Sequence, residues 1–546
     1  MTTTTVDHAR PALGHRQIIL LMSGLMTGML LAALDQTIVG TALPTIVGKL
    51  GGINHYSWVV TAYLLASTAS TPLYGKISDL YGRRPVLLFA IGTFLVGSLL
   101  AGASQNMTEL VVFRGIQGLG AGGLMTLAFT IISDVVAPRD RGRYQGLFGA
   151  VFGLSSVAGP LVGGYFAEHD WRWIFYVNVP LGILAIVVSY RVLRLVPHVR
   201  RDHRIDYLGA ALLVASVVCL LLALSWGGKD YAWTSSAIVG LFAAFVALAA
   251  VFMAVERRAS EPILPLRLFR SRTFSIANAA SFVLGFAMFG AIIYVPLYLQ
   301  IVKGASPTES GLLMLPMMIG IIVTSIVSGR AISRIGRYKW FTVAGTAIMA
   351  TGLVLFTRLQ VDTPLWQAFV YMLVIGIGLG LTMQPLVLAV QNGLSSRDMG
   401  AGTSTATFVR SLGGSVGVAA LGAVLTNRLA TELAPLVAAA VRALPPALQR
   451  QFAAAGTGGI SINEPARILA LPGPLKAAVQ QGFVNTLHPI FLTAGLVSVV
   501  AVVLCLALPN RELRGAAPAA PGRDGLTKSS DGDAAAEMEA QTASML

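Results

Sequence analysis

Residues 75–85 read Gly-Lys-Ile-Ser-Asp-Leu-Tyr-Gly-Arg-Arg-Pro, and apolar segments long enough to cross a bilayer flank them on both sides. The two glycines permit a tight backbone turn. The aspartate, Asp79, is suited to cap the N-terminus of a neighbouring helix, and the basic pair Arg83 and Arg84 favours the cytoplasmic side of a membrane. The stretch therefore predicts a cytoplasmic turn between two transmembrane helices.

The composition excludes a water-soluble protein, because 55% of the 546 residues are hydrophobic and only 12% are charged. A net charge of +15 would suggest nucleic-acid binding in a soluble domain. Here the basic residues fall in short gaps between apolar runs, which is typical of membrane topology and of contact with anionic lipids. We expect membrane lipids as neighbours and no nucleic-acid partner.

The sequence also argues against an enzyme or a metalloprotein. Cys219 and Cys505 stand alone in apolar runs, and the seven histidines are scattered. Residues 118–123 match the dinucleotide fingerprint in form, but they fall inside a predicted membrane span with no strand before them. Without a phosphate-binding loop or a nucleophile elbow, we expect no catalytic residues, no metal and no cofactor.

Apolar runs predict an all-α integral membrane protein with fourteen transmembrane helices and both termini in the cytoplasm. Residues 329–337 echo the opening turn at an offset of 254, with Ser333 in the place of Asp79, so the chain reads as two related halves. The expected parts are a cytoplasmic N-terminus (1–17), a six-helix half (18–194), a linker with two additional helices (195–272), a second six-helix half (273–508) with an extracellular loop (about 427–485), and a disordered cytoplasmic tail (509–546).

Two charged residues lie inside predicted spans, where ionisable groups are costly and usually functional. Asp35 is in the first helix and Arg114 is in the fourth, at comparable depth, so they can face each other. The alternatives are an acid wetted by outer headgroups and an arginine whose side chain reaches those headgroups. A third charge, Arg410, lies about ten residues inside its own span. For Arg410 the sequence leaves a cavity-lining role and a static ion pair equally open.

The predicted fifth helix contains Gly153-Leu-Ser-Ser-Val-Ala-Gly159-Pro160-Leu-Val-Gly163-Gly164. Glycines four residues apart give a smooth surface for close helix packing, and a proline removes one backbone hydrogen bond and bends the helix. A packing kink without further function is the alternative.

These motifs together resemble the major facilitator superfamily, and among its members the fourteen-helix drug:proton antiporters of the multidrug efflux type. The resemblance implies the major facilitator fold, two six-helix halves plus two inserted helices, in the cytoplasmic membrane of a bacterium. It also implies proton coupling at Asp35 and Arg114. The sets it implies are a cytoplasmic gate (Gly75, Asp79, Gly82, Arg83, Arg84, Asp134), an antiporter motif (Gly153, Gly159, Pro160, Gly163, Gly164) and possible cavity residues (Gln117, Gln384, Gln391, Arg410).

The function that follows is proton-coupled export of hydrophobic or cationic drug-like compounds by a monomer that alternates access. A dedicated exporter of one endogenous metabolite, such as an antibiotic or a siderophore, is an alternative, and so is an exporter of a lipid-like molecule. An importer or a sensor is disfavoured by the antiporter-like segment. At the gate we expect Asp79 to cap the helix that begins near Gly400, and Arg83 or Arg84 to pair with Asp134.

Overall fold

The protein is described by a computed structural model that covers residues 15–50, 56–195, 206–228, 230–395, 398–446, 449, 468 and 471–513. Within these ranges the regular secondary structure is helical. The helices are α1 (His15–Leu50), α2 (Tyr56–Tyr81), α3 (Arg83–Ala103), α4 (Met107–Val135), α5 (Pro138–Glu168), α6 (Trp173–Tyr176), α7 (Asn178–Val192), α8 (Tyr207–Trp226), α9 (Ser236–Glu256), α10 (Arg272–Leu297), α11 (Pro307–Leu313), α12 (Leu315–Ile335), α13 (Lys339–Phe356), α14 (Leu365–Asn392), α15 (Met399–Arg442) and α16 (Gly473–Ala507).

Thirteen segments of the described chain are long and apolar enough to cross a membrane, with α6 and α7 forming one span and α11 and α12 another. The fourteenth helix is α2, whose 26 residues include a polar stretch at Ser67–Thr71. Ser70 and Thr71 donate their hydroxyl protons to backbone carbonyls of α2 and α4, so this polarity is satisfied inside the bundle. The prediction of a fourteen-helix, all-α membrane fold is confirmed.

The helices form two bundles, α1–α7 and α10–α16, with the pair α8 and α9 on the outside. In the first bundle α4 packs against α2 and α3, and α1 packs against α5. In the second, α14 packs against α12 and α13, and α10 against α15. The bundles meet along α5 with α12 and α2 with α15, while α8 covers α2. We call the end that holds Gly82 and Gly336 the loop end and the opposite end the far end.

The predicted loop at 427–485 is partly wrong, because α15 continues as a helix to Arg442 and α16 already begins at Gly473. Leu433 and Val437 of the α15 extension are buried, and Leu433 lies against Gly482 of α16. The extension is rich in alanine, which has the highest helix propensity, so the helix persists where hydropathy falls. Most of residues 443–472 lie outside the described ranges.

The predicted disordered tail is wrong for its first residues. Leu513 is buried and donates its backbone N–H to the Gly336 carbonyl at 2.8 Å, and the Glu512 carbonyl accepts a hydrogen bond from Asn392. An apolar side chain and backbone hydrogen bonds thus hold residues 509–513 against the loop end. Residues 514–546 and 1–14 lie outside the described residues, and α1 begins at His15, inside the predicted N-terminal segment.

Candidate transport site and gate

Asp35 lies in the middle of a buried polar cluster inside the first bundle. Its side chain and that of Arg114 are both buried, and Arg114 Nη1 donates to Asp35 Oδ2 at 2.5 Å. Gln117 Nε2 and Asn178 Nδ2 both donate to Asp35 Oδ1, at 2.8 and 3.1 Å. The carboxylate therefore has a counter-ion and three hydrogen bonds, which offset the cost of burying its charge.

Arg114 is held from several directions. It also donates to Gln117 Oε1 at 2.7 Å and, more weakly, to the Val59 carbonyl at 3.4 Å. The Tyr63 ring lies 4.2 Å from the guanidinium carbon, at cation–π distance. Helices α1, α2, α4 and α7 thus converge on one ion pair, which leaves no route for the arginine to reach headgroups.

Sequence reasoning placed Gln117 among the possible cavity residues and did not select Asn178 or Tyr63. The structure puts all three around Asp35 and Arg114. Asn178 opens α7 directly after the short helix α6, and a polar residue at that break between helices was the available signal. Its amide also donates to Ser98 Oγ of α3 at 3.0 Å, so α3 is tied to the same cluster.

The glycines of α5 pack against both bundles. A Cβ at Gly159 would overlap Thr37 of α1, two residues after Asp35, and one at Gly163 would lie 2.8 Å from the Ile38 carbonyl. On its other side, Gly153 lies against Ile322 of α12, and Pro160 lies against Gly311 of α11. The segment 153–164 therefore connects the Asp35 helix with the second bundle.

At the loop end, Asp79 joins the two bundles. Its Oδ1 accepts from the Gly400 N–H at 3.2 Å and its Oδ2 from the Ala401 N–H at 2.9 Å, at the start of α15. Gly75 lets α2 approach α15 so closely that a Cβ there would overlap Ser404. Burial raises the pKa of the Asp79 carboxyl above its ordinary value, although Arg83 opposes the rise. The contact of Asp79 with the helix that begins near Gly400 is the one expected from the sequence.

Arg83 and Arg84, the basic pair of the same turn, contact different partners. Arg83 pairs with Asp79 at 2.5 Å and with Asp134 at 2.7 Å, whereas Arg84 lies over the Tyr190 ring at 4.2 Å. Gly82, between α2 and α3, has φ +95°, a conformation that side chains other than glycine rarely adopt. Of the two arginines offered by the sequence, Arg83 is the partner of Asp134.

A model of the Major Facilitator Superfamily matches residues 25–418, which include both the Asp35 cluster and the Asp79 contacts at the loop end. The chain belongs to the major facilitator superfamily. It is 41% identical over 507 residues to the multidrug transporter protein MdtP of Bacillus subtilis, covering 90% of this chain and 92% of MdtP. It is 40% identical over 412 residues to multidrug resistance protein 3 of the same organism, covering 75% and 80%.

Solved structures of the superfamily share the fold. The proton:xylose symporter XylE of E. coli superposes with a TM-score of 0.60 over 92% of this chain and 98% of XylE, at 14% sequence identity. The recognition of a major facilitator member with multidrug efflux proteins among its relatives is confirmed, and the chain is a multi-pass membrane protein.

The second copy of the turn, residues 329–337, makes the corresponding contact from the second bundle to the first at the loop end. Ser333 Oγ accepts from the backbone N–H of Arg143, near the start of α5, at 3.1 Å. Gly329 lies against the Gly142 carbonyl, as Gly75 lies against α15, and Gly336 has φ +77°, like Gly82. Each bundle therefore forms hydrogen bonds to the other through one turn. The acceptor is a carboxylate in the first copy and a hydroxyl in the second.

The remaining predicted cavity residues divide into two kinds. Gln391 bridges the bundles, because it accepts from Gln145 Nε2 at 2.9 Å and donates to the Phe129 carbonyl at 3.2 Å. Gln384 and Arg410 are buried as well, yet Gln384 Oε1 accepts no hydrogen bond and Arg410 has no hydrogen bond or ion pair within the described chain. A static ion pair for Arg410, which the sequence left open, is absent from the described residues.

Proposed function

We propose that the protein is a proton-coupled antiporter that exports hydrophobic or amphipathic drug-like compounds across the cytoplasmic membrane of a bacterium. The observation that carries this proposal is the Asp35 carboxylate, buried in the bundle and held by Arg114, Gln117 and Asn178. The similarity to multidrug transporters of Bacillus subtilis supports the substrate class and the location.

In this proposal the loop end faces the cytoplasm, as its basic residues favour, and both termini lie there. The Asp79–Gly400 and Ser333–Arg143 contacts then close the cytoplasmic side, so the described form is outward-facing. A proton that reaches Asp35 from outside neutralises the carboxylate and weakens its ion pair with Arg114. The pair re-forms when the proton leaves toward the cytoplasm, and substrate moves in the opposite direction.

Helix α5 is the element that transmits this change. Its Gly159 packs on α1 against Thr37, two residues after Asp35, and its Pro160 packs on α11 of the second bundle. A shift of α1 on protonation therefore moves a helix that lies along the boundary between the bundles, where rigid rocking changes access.

The energetics suit export. A membrane potential of ~100 mV contributes ~2.3 kcal/mol per charge and one pH unit ~1.4 kcal/mol, so one entering proton supports roughly a 500-fold gradient of a neutral solute. A monovalent cation exchanged for one proton uses the pH term alone.

The proposal is tested with everted membrane vesicles that accumulate rhodamine 6G. We expect accumulation to follow an imposed pH gradient, to collapse when nigericin removes that gradient, and to be lost in Asp35→Asn but partly kept in Asp35→Glu. Glu168→Gln removes an exposed carboxylate at the far end and is the matched control. Accumulation that is indifferent to the pH gradient in the wild type would refute proton coupling.

A further inference from the structure

Arg410 is a buried charge without a counter-charge. It lies eleven residues after the start of α15, about 16 Å along the helix, and the residue is only 8% exposed. No carboxylate of the described residues pairs with it, and burial without such a partner is costly for a guanidinium at membrane depth. The guanidinium donors of Arg410 are therefore available to bind a ligand.

Gln384 lies at the same depth on the neighbouring helix. The hairpin α14–α15 is pinned by Gln391 Nε2, which donates to Thr403 Oγ1 at 3.3 Å. Gln384 precedes Gln391 by seven residues, and Arg410 follows Thr403 by seven, so each lies on the same helix face about 10 Å farther from the loop end. The unpaired Gln384 Oε1 and the Arg410 guanidinium therefore lie at about the same depth on two neighbouring helices.

The face of α14 that holds Gln384 is turned toward the first bundle. Val387, between Gln384 and Gln391, is packed in the hydrophobic cluster of the first bundle, and Gln391 bonds to α4 and α5. Gln384 thus lies on the face of α14 that is turned toward the boundary between the two bundles. By helix rise along α4, the Asp35 cluster lies about 10 Å nearer to the far end than this level.

The charge balance of the interior indicates the ligand. Away from the loop end, the buried charged side chains among the described residues are Asp35, Arg114 and Arg410. The charges of Asp35 and Arg114 cancel each other, so Arg410 leaves one net positive charge. A guanidinium presents a planar fork of donors that matches a carboxylate, and the glutamine amide adds one donor and one acceptor side. A cationic ligand is repelled here, whereas an anionic oxygen is attracted.

We propose that Arg410 and Gln384 form a substrate subsite for an anionic or strongly accepting oxygen, such as a carboxylate or a phenolate, on an otherwise apolar compound. This proposal rests on the export function proposed above and narrows its substrate class. It departs from the cationic compounds that the sequence-based prediction included among the substrates.

The test compares fluorescein, an anion at neutral pH, with rhodamine 6G, a cation on the same xanthene skeleton. Equilibrium binding to the purified full-length protein is followed by fluorescence polarisation, with empty micelles subtracted. We expect Arg410→Gln to weaken fluorescein binding at least about 10-fold, the scale of one charge-assisted hydrogen bond, and to change rhodamine 6G binding less than about 2-fold. Arg410→Lys is expected to keep part of the fluorescein affinity, and Gln384→Leu to lose about 3-fold.

Arg428→Gln is the matched control, because it removes an exposed arginine from the same helix. The proposal is overturned if the wild type shows no saturable fluorescein binding, if Arg410→Gln leaves fluorescein affinity unchanged, or if it weakens both dyes equally. Binding is measured without a proton gradient, so a failure of proton coupling at Asp35 shows up in the vesicle experiment and leaves this result untouched.

Discussion

The two bundles share one fold, and away from the loop end each contains one buried arginine among the described residues, Arg114 and Arg410, of which only Arg114 has a counter-ion. Arg114 of the first bundle is matched by Asp35 at 2.5 Å, whereas Arg410 of the second has no partner among the described residues. The first bundle thus contains a complete buried ion pair, whereas the second contains a buried positive charge with no counter-ion among the described residues.

The superfamily turns show the same asymmetry at the loop end. Asp79 uses a carboxylate that also pairs with Arg83, while Ser333 makes the symmetry-related contact with a hydroxyl. Charge-assisted hydrogen bonds are roughly twice as strong as neutral ones. We therefore expect the first turn to contribute more than the second to holding the two bundles together at this end.

The largest expected effect comes from removing each buried arginine in turn. Arg114→Met leaves the Asp35 carboxylate buried and unpaired, which costs about 3–5 kcal/mol, whereas Arg410→Met removes an unpaired charge and is neutral or stabilising. Thermal unfolding in detergent, without substrate, measures both. Equal destabilisation by the two substitutions would break the comparison.

A smaller but still large effect is expected at α5. Gly159→Leu forces a side chain into Thr37 and separates α5 from α1, with an overpacking cost of about 1–3 kcal/mol and loss of most exchange. Gly92→Leu is the control, because a Cβ at Gly92 meets no atom within 4 Å. Substrate exchange in vesicles is the readout. Full exchange in Gly159→Leu would reduce the segment to passive packing.

The two turns are compared by Asp79→Asn and Ser333→Ala. We expect the aspartate substitution to lower transport about 10-fold at normal membrane abundance, since it removes charge-assisted bonds, and the serine substitution to lower it less than about 3-fold. Transport rates normalised to protein in the membrane decide between them. A larger loss in Ser333→Ala would reverse the assigned order of the turns.

The smallest effect is expected at Arg337, which stands where Arg83 stands in the first turn. Its partner Glu512 is exposed, and exposed ion pairs contribute about 0–1 kcal/mol. Arg337→Gln should therefore leave transport and unfolding temperature almost unchanged, while Arg83→Gln lowers both. A loss of transport in Arg337→Gln as great as that in Arg83→Gln would show that exposure is the wrong guide to these contacts.

Sequence patterns identified the features that depend on a single residue or on local spacing. The fourteen helices, the buried Asp35 and Arg114, and a helix-capping role for Asp79 all follow from apolar length, the cost of buried charge and capping chemistry. Their roles in coupling and gating stay predictions.

Several other contacts between helices were beyond the sequence. Asn178 reads as an interfacial residue until α7 is seen to lie beside α1, and Gln117 and Gln391 read as cavity residues until their partners are placed. The extension of α15 to Arg442 was missed because hydropathy marks the end of a span and not the end of a helix.

The central claim, that Asp35 carries the coupled proton, is tested most directly by proton movement in reconstituted vesicles. Addition of rhodamine 6G to wild-type vesicles is expected to drive a proton flux that an entrapped pH indicator records. Asp35→Asn keeps the size and much of the hydrogen bonding of the side chain but removes the titratable group. We predict that this variant still binds the dye and gives no dye-dependent proton signal. A signal equal to that of the wild type would contradict the account.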